Sequence, residues 1–281
     1  MNTDWDCVVI GGGVAGLSAA LVLGRARRRT LLLDRGGQSN RPAAHIGGLL
    51  GQDGTPPGDF YAGAREQLAL YDAVVVRDVE AVDARAEGDG FVVVLAGGDE
   101  SRSRAVVLAT GMDYEVPDVP GFREHWGGSV FHCPFCHGWE VRDRAVVVYG
   151  EGEVAEHQAA LLRAWSRDVT MVAPGQVAGL RVEDGTVRAV VRRDGSEVAC
   201  EAVLVHAPLR RRDRLPERLG LALTDGDFVA IDAFGRTSVP GVYAAGDLAV
   251  APQQVAVALG SGHLAGVVAV RDLLLGRSAA A

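Results

Sequence analysis

The chain has 281 residues, of which 48% are hydrophobic, so it can bury a full core in one large or two small domains. Its 36 acidic residues outnumber its 28 basic residues, and the formal charge of −8 argues against an unaided grip on nucleic acid. The sequence contains no lysine, which excludes Schiff-base chemistry and the lysine-dependent phosphate loop.

The terminal segments give no sign of membrane targeting. Met1 to Asp6 is acidic and leads directly into a predicted strand, so we expect no secretory signal. The longest apolar stretch, Val255 to Val270, contains Ser261 and His263, and we expect it to be too short to span a bilayer. We therefore expect a cytoplasmic protein with no membrane partner. In a reducing compartment, a close pair of cysteines indicates redox or metal chemistry rather than a disulfide framework.

The N-terminal segment reads as strand, glycine turn, helix and strand. Asp6 to Ile10 is a β-branched run, and Gly11-Gly12-Gly13-Val14-Ala15-Gly16 follows it directly. Leu17 to Leu23 is predicted to be helical, and Thr30 to Leu33 to be the second strand, which ends at Asp34. This context favours a dinucleotide-binding turn over a glycine-rich turn without a ligand.

Three glycines of that turn, and the aspartate that ends the second strand, each have a physical role in binding a dinucleotide. Gly11 permits the tight turn, and Gly13 lets the backbone approach a pyrophosphate. Gly16 lets the helix pack closely on the strand, and Asp34 is placed to accept a ribose hydroxyl.

The middle of the chain is predicted to be an antiparallel meander. It runs from Ala73 to Leu108, with turns at Asp89-Gly90 and Gly97-Gly98, and it ends in Ala109-Thr110-Gly111.

A second strand–turn–helix unit begins near residue 116. Ala145 to Tyr149 is a predicted strand, Gly150-Glu151-Gly152 a turn, Val154 to Trp165 a helix and Asp168 to Ala173 a strand. The following hairpin is predicted from Thr186–Arg192 and Glu197–His206. Only about a dozen residues separate Ala173 from that hairpin. We therefore expect too little chain there for the crossover helix and further parallel strand of a complete nucleotide-binding half.

The C-terminal part is predicted to be a strand, a turn and a closing helix. Gly241 to Asp247 reads as strand then turn, and Val255 to Leu275 as the helix. The carboxylate of Asp247, next to Gly246, is a candidate acceptor for a ribityl hydroxyl, although the pair could be an ordinary turn. The run from Arg210 to Arg214 reads as a solvated loop, with phosphate binding as the alternative.

Cys133-Pro134-Phe135-Cys136 has three readings. Two cysteines separated by two residues can close a reversible disulfide, and one thiolate can be stabilised by its surroundings. The pair could instead be half a zinc site, but Cys7 and Cys200 stand alone and we interpret both as structural. Together with His137 it also matches the c-type haem attachment pattern, which would require export. The redox reading is favoured, and we expect no metal.

These motifs together resemble the low-molecular-weight thioredoxin reductase family over nearly the whole chain. The segment Phe131-His132-Cys133-Pro134-Phe135-Cys136-His137-Gly138-Trp139-Glu140 is similar to the branch containing the gliotoxin and holomycin dithiol oxidases, which use FAD and molecular oxygen. The resemblance implies an α/β fold with two Rossmann-like, three-layer domains. The FAD domain, residues 1–115 and 239–281, is interrupted by a smaller, shortened NAD(P)H-type domain, residues 116–238, which carries the cysteines.

The resemblance also implies a set of site residues. The catalytic candidates are Cys133, Cys136 and His137. The candidates for binding FAD are Gly11, Gly13, Ala15, Gly16, Asp34, Arg35, Gln38, Asn40, His45, Val79, Ala109, Thr110, Gly111, Gly246, Asp247, Gln254 and Val255.

Two departures from thioredoxin reductases bear on function. Those enzymes usually have an acid directly after the second cysteine, whereas this chain has His137, which can exchange thiol protons near neutral pH. The inserted domain places Glu151 and Glu153 where a pyrophosphate would lie, and no basic cluster follows Ala173. We therefore expect NAD(P)H binding to be impaired or lost.

The sequence thus predicts an FAD-dependent thiol–disulfide oxidoreductase. We expect it to oxidise a dithiol to a disulfide through Cys133 and Cys136, with O2 as acceptor. One alternative is an NAD(P)H-dependent reductase of thioredoxin or a small disulfide, and another is a flavoprotein redox sensor without turnover. The expected partners are a small-molecule dithiol or disulfide, or a thioredoxin-like protein, and we expect a homodimer.

Overall fold

The computed structural model describes residues 4–276, which fall into two compact units. Unit 1 is built from the chain up to Ser39, Gly58–Asp113 and the chain from Arg210 onward, and unit 2 from Asn40–Pro57 and Tyr114–Leu209.

The described residues form both strands and helices. The strands are β1 (Trp5–Ile10), β2 (Thr30–Leu33), β3 (Val74–Arg77), β4 (Ala81–Glu87), β5 (Gly90–Leu95), β6 (Glu100–Leu108), β7 (Met112–Tyr114), β8 (Val130–Phe131), β9 (Val146–Tyr149), β10 (Val169–Val172), β11 (Val177–Glu183), β12 (Thr186–Arg192), β13 (Glu197–Ala199), β14 (Ala202–Val205), β15 (Leu209–Arg211) and β16 (Val242–Ala244). The α-helices are α1 (Val14–Arg25), α2 (Pro57–Leu68), α3 (Pro134–His137), α4 (Gly152–Leu162), α5 (Leu215–Arg218) and α6 (Val255–Leu275).

The main sheet of unit 1 has the strand order β3-β2-β1-β6-β5-β4, and β16 also pairs with β6. β1 pairs in parallel with both β2 and β6, whereas β4, β5 and β6 are antiparallel. The antiparallel prediction is therefore correct for β4 to β6 but wrong for β3, which runs parallel to β2 with Thr30 opposite Val74. Helix α2, which sequence reasoning missed, lies between β2 and β3 and supplies the crossover that a parallel pair requires.

Helices α1 and α6 pack against each other in the core of unit 1, which confirms the closing helix at its predicted bounds. Small residues allow this approach, because a Cβ on Gly266 would lie 2.9 Å from the carbonyl oxygen of Ala19. The helix continues beyond Val270 to Leu275. By its length and composition alone it could cross a membrane, so the expectation that this stretch is too short is wrong. The core helix of a water-soluble protein can have the same length and apolar composition, so these two properties are weak evidence for a membrane span.

The main sheet of unit 2 is parallel throughout, with the order β10-β9-β14-β8. A separate antiparallel sheet is formed by β11, β12 and β13. The predicted second arm of the hairpin, Glu197–His206, is therefore two separate strands. β13 pairs with β12, whereas β14 pairs in parallel with β9. The expected lack of a further parallel strand is wrong, since a 3-10 turn at Pro174–Gln176 and this antiparallel sheet replace the crossover helix.

The division into units differs from the expected domain bounds in three places. Residues 40–57 and 114–115 group with unit 2, and residues 210–238 group with unit 1. The segment 210–238 belongs to unit 1 because α5 packs on β4 and the amide of Val229 donates to the carbonyl of Leu248 at 2.9 Å.

Candidate active site

The two candidate catalytic cysteines are joined in a disulfide at the start of α3. Their Cα atoms are 5.3 Å apart, within the usual range for a disulfide. Strand β8 delivers the chain to this point, and Pro134 at the first helical position starts the turn with the fixed φ that a helix needs. The amides of Cys136 and His137 both donate to the carbonyl of Cys133, at 3.2 and 3.1 Å. The backbone therefore brings the two sulfurs together without further support.

His137 presents one unpartnered ring nitrogen beside this disulfide. Its Nε2 lies 3.2 Å from the carbonyl oxygen of Gly127, which can only accept, so Nε2 carries the proton in the neutral ring. Nδ1 then holds the lone pair, and it is buried without a hydrogen-bond partner among residues 4–276. Burial lowers the pKa of His137 below 6.5, although the Gly127 carbonyl and Glu140 oppose this shift. The ring is therefore a neutral base at physiological pH.

Glu140 joins the cysteine segment to the loop of residues 40–57 within unit 2. Its Oε1 lies 2.9 Å from Nε2 of His45, and its Oε2 is buried with no hydrogen-bond partner in the described structure. The same loop approaches closely at Gly47, where a Cβ would lie 2.5 Å from the carbonyl oxygen of Cys136. His45, which the family resemblance assigned to the flavin nucleotide, thus has a partner in the cysteine segment, a role that sequence reasoning missed.

His132, which precedes Cys133, is a second buried imidazole that was not singled out from the sequence. Its ring centroid lies 4.2 Å from that of Tyr114, and it stacks at 5.6 Å on Trp126. Burial and then the neighbouring His137 lower the pKa of His132 to about 4. It is therefore neutral at pH 7 and acts as a packing residue in this state.

The glycine turn of unit 1 has the form that a dinucleotide requires. Gly11 adopts a φ of 109°, where a side chain would overlap the carbonyl oxygen of Ala109. A Cβ on Gly16 would overlap the carbonyl oxygen of Gly11, whereas the space around Gly13 is open. Gly13 is also the N-cap of α1 and carries no capping side chain, so the helix amides face that space. A pyrophosphate therefore fits at Gly13.

Asp34, at the end of β2, is held by three donors within unit 1. It accepts from the amide of Gly36 at 2.8 Å, from Nε2 of Gln38 at 3.0 Å and from Nη2 of Arg65 at 2.6 Å. Sequence reasoning identified Gln38 but missed Arg65, which lies on α2. A ribose hydroxyl would share the remaining acceptor capacity of this carboxylate.

The other flanking candidates are divided between the two units. Arg35 forms an ion pair with Glu80 at 3.0 Å, and Val79 is half-buried just beyond β3. Asn40 lies in unit 2 at the start of the 40–57 loop, where its carbonyl accepts from the amide of Ala43.

The remaining flavin candidates of unit 1 follow the carboxyl ends of parallel strands. Thr110 comes directly after Ala109 at the end of β6, and its Oγ1 is buried without a hydrogen-bond partner in the described residues. Gly111 and Gly246 adopt φ values of 69°, and the amide of Gly246 donates to Ser261 at 3.0 Å. Strand ends of this kind bind nucleotides in α/β proteins, and the unsatisfied hydroxyl adds a polar group aimed at a ligand.

Asp247 also follows a strand end, β16, and has an unusual titration. Burial raises the pKa of Asp247 to about 6, against a smaller opposing effect of Arg212. Ala15 packs beside Gly246, and Gln254 and Val255 begin α6. Taken together, the residues of unit 1 fit FAD.

The nucleotide turn of unit 2 carries acidic side chains. Glu151 is the N-cap of α4 without a capping hydrogen bond, and Glu153 follows in the first turn, both exposed. The strand after it leads into an uncharged 3-10 turn. The hairpin after β12 nevertheless brings Arg193 near Tyr149. Burial raises the pKa of Tyr149, and the positive charge of Arg193 partly offsets that rise. A cation thus reaches this end of the sheet from a part of the chain that sequence reasoning did not consider.

The two remaining cysteines lie in the cores of their units. Cys7 and Cys200 are free and buried, and burial raises the pKa of both thiols, that of Cys200 to about 11. They are therefore unreactive core residues. No group of three or more potential metal ligands occurs within residues 4–276.

Comparisons with known proteins agree over almost the whole chain. The family described as pyridine nucleotide-disulphide oxidoreductase matches residues 5–189 and 175–262. The thioredoxin reductase tcpT of Claviceps purpurea is 32% identical, over 96% of this chain and 94% of its own length. A crystal structure of HlmI is 37% identical, with a TM-score of 0.92, and covers 96% of this chain and 92% of its own. An oxidoreductase from Agrobacterium tumefaciens is 34% identical with a TM-score of 0.89, over 96% and 98% of the two chains.

The fold prediction of an α/β protein with Rossmann-like units is confirmed by these structures, and so is the predicted resemblance to thioredoxin reductases. Proteins of this kind bind FAD, and the glycine turn and strand ends of unit 1 fit that cofactor. The chain therefore belongs to the pyridine nucleotide-disulphide oxidoreductase family, in which it is a thioredoxin reductase-like enzyme of the FAD-dependent disulfide oxidoreductase type.

Proposed function

We propose that the enzyme oxidises a small dithiol to a disulfide through Cys133 and Cys136, with O2 as the final electron acceptor. The observation that carries the proposal is the acidic nucleotide turn of unit 2. Glu151 and Glu153 repel a pyrophosphate, which removes the attraction that would hold NADPH as electron donor. The electrons must then come from the thiol substrate.

The proposed chemistry at the cysteines is thiol–disulfide exchange, in which the unequal roles of Cys133 and Cys136 are assigned by analogy with the family. A substrate thiolate attacks Sγ of Cys133, the disulfide to Cys136 breaks, and Cys136 leaves as a thiolate. The second substrate thiol then attacks the substrate sulfur of the mixed disulfide, which releases the product disulfide and the Cys133 thiolate. Two electrons and two protons have thereby passed from the substrate to the enzyme.

His137 handles the protons in this scheme. Nδ1 is the ring nitrogen with a free lone pair, so it removes the proton from the attacking thiol and returns it to a cysteine thiolate. The lowered pKa of His137 keeps this nitrogen unprotonated at pH 7.

Bound FAD would supply a two-electron acceptor for the reduced cysteines and a route to O2, with hydrogen peroxide as the product. The turn at Gly11–Gly16 would hold its pyrophosphate, and Thr110 and Asp247 would contact it from the strand ends.

A disulfide reductase that uses NAD(P)H is the second candidate, and one observation favours it. Arg193 lies near Tyr149 at the end of the unit 2 sheet, where it could offset the charge of the acidic turn. The relatives named thioredoxin reductase also favour reduction of a disulfide with NAD(P)H as the electron donor. A redox sensor without turnover is the third candidate, and it predicts no sustained production of peroxide.

An anaerobic stopped-flow experiment separates the three candidates. The holoenzyme is mixed in turn with dithiothreitol, NADPH and NADH while flavin absorbance is recorded, and air is then admitted. We expect the dithiol to bleach the flavin rapidly, the nicotinamides to do so slowly or not at all, and peroxide to accumulate in air. Cys133→Ser serves as the control that should abolish reduction by the dithiol. Complete bleaching by micromolar NADPH within a second would favour the reductase, and reduction without repeated turnover would favour the sensor.

A further inference from the structure

The region around the disulfide contains buried polar atoms without a hydrogen-bond partner among the described residues, among them Nδ1 of His137, Nε2 of His132 and Oε2 of Glu140. The proposed chemistry uses Nδ1 of His137 as the base but gives Oε2 of Glu140 no role. An unpaired buried polar atom destabilises a fold unless a change of state gives it a partner. A carboxylate and an imidazole with free positions in one unit are complementary once the ring is protonated.

Glu140 and His137 lie in one turn of the backbone. The amide of Glu140 donates to the carbonyl of His137 at 3.2 Å, so the two residues are three positions apart in that turn. The negative charge of Glu140 favours the protonated form of His137 and so opposes the larger lowering of its pKa by burial.

His45 fixes the other oxygen of Glu140. The contact between His45 Nε2 and Glu140 Oε1 is 2.9 Å, so the carboxylate is held by the 40–57 loop while Oε2 stays free. The further titratable group that acts on the pKa of His137 is His45, which opposes the protonated form, while His137 in turn lowers the pKa of the neighbouring His132. Glu140 is therefore the carboxylate that supports a positive charge on His137.

We propose that Glu140 is a positioning residue that binds the imidazolium of His137 after it has taken the thiol proton, with His45 holding Glu140 in place. In the step concerned, a proton moves from a cysteine or substrate thiol to Nδ1 of His137, and the N–H formed there donates to Oε2 of Glu140. No electrons move in this step. The inference rests on the proposed thiol–disulfide exchange at Cys133 and Cys136, but it does not depend on the direction of that exchange.

The test measures how readily the cysteines lose their protons. The holoenzyme is reduced beforehand with a phosphine, and its reaction with iodoacetamide is followed from pH 5 to 10 by mass spectrometry at Cys133 and Cys136. If Glu140 stabilises the imidazolium, loss of its charge makes the thiol harder to ionise. We expect Glu140→Gln to raise the pH midpoint of alkylation by about one unit at the more reactive cysteine.

The matched variants separate this role from a structural one. Glu140→Gln can still accept from His45, so FAD content and the unfolding midpoint should stay near those of the wild type. Glu140→Asp, which keeps a carboxylate, should give an intermediate midpoint and remains informative if the glutamine variant folds poorly. Glu156→Gln, which removes an exposed carboxylate from α4 of the same unit, should leave the midpoint unchanged.

The outcomes are distinct for this inference and for the proposed function. An alkylation midpoint in Glu140→Gln within 0.2 units of the wild type, about the error of such a titration, overturns the role of Glu140 even if dithiol oxidation is observed. Conversely, a raised midpoint supports Glu140 even if stopped-flow mixing shows that NADPH reduces the enzyme. Alkylation of the pre-reduced enzyme requires neither O2 nor a nicotinamide, so the two results cannot be confused.

Discussion

Gly262 of α6 lies directly against the backbone of Ala15 in the first turn of α1, so that a Cβ at this position would overlap the Ala15 carbonyl oxygen. The C-terminal helix thereby supports the turn that is proposed to hold the pyrophosphate. We expect Gly262→Ala to destabilise the protein by about 1–3 kcal/mol, as overpacking of a core does. Thermal unfolding of the holoenzyme measures the effect.

Gly260, on the same helix, is the control for that prediction. No atom lies within 4 Å of the position that its Cβ would take. Gly260→Ala should therefore stabilise the protein slightly, by up to about 1 kcal/mol, because alanine favours the helix. Equal destabilisation by both substitutions would show that the packing at Ala15 is not special.

The glycines of the α1 turn should separate FAD binding from folding. Gly13 has open space around it and a φ of −75°, so Gly13→Val should fold but block the pyrophosphate and give a colourless protein. Gly16→Val should instead fail to fold, because its side chain would overlap the Gly11 carbonyl. Absorbance at the flavin maximum and circular dichroism report the two properties. Stoichiometric flavin in folded Gly13→Val would contradict the assignment of this turn.

The pH dependence of dithiol oxidation should reflect His137. Burial lowers the pKa of this group, and the base must be neutral to accept a thiol proton. The acidic limb of the rate of flavin reduction by dithiol should therefore lie below the pH at which an ordinary histidine titrates, and the rate should fall as His137 becomes protonated. His137→Ala should slow the step by about 10²–10⁴-fold and remove this acidic limb. An unchanged profile in the variant would leave His137 with a structural role alone.

Asp247 should affect stability and FAD binding in opposite directions. Its pKa is raised by burial to about 6, so the folded apoprotein binds this proton more tightly than the unfolded chain does. The resulting stability is fully present below pH 3.8 and is lost as the pH rises through about 6. Asp247→Asn should thus raise the unfolding midpoint of the apoprotein at pH 8 by a few degrees while weakening FAD. The comparison at pH 5, where the difference should shrink, is the control.

The sequence was informative wherever a local pattern determines the structure. The turn after β1, the cysteine pair and α6 each follow from residues that are close in the chain, so spacing alone predicted them. The roles of Glu140 and Arg65 could not be predicted in this way. Glu140 meets His45 from 95 positions away, and Arg65 meets Asp34 only because α2 folds back on unit 1. No periodic signal marks a contact that a loop creates.

The parallel strand β3 and the strand β14 were missed for a related reason. A short β-branched run looks the same in a parallel or an antiparallel pair, and only the connection distinguishes them. For β3 the connection is α2, whose sequence is polar on average, and for β14 it is a three-stranded sheet in place of a helix.

The assembly of unit 1 from both ends of the chain has a consequence for synthesis on the ribosome. β16 and α6 complete the sheet and core that β1 and α1 begin, and they follow all of unit 2 in the chain. Every segment of unit 2, in contrast, has left the ribosome well before α6 emerges. Unit 2 can therefore close its disulfide-bearing segment while the flavin half is still incomplete, and a nascent chain stalled before residue 255 should carry a folded cysteine unit without its flavin.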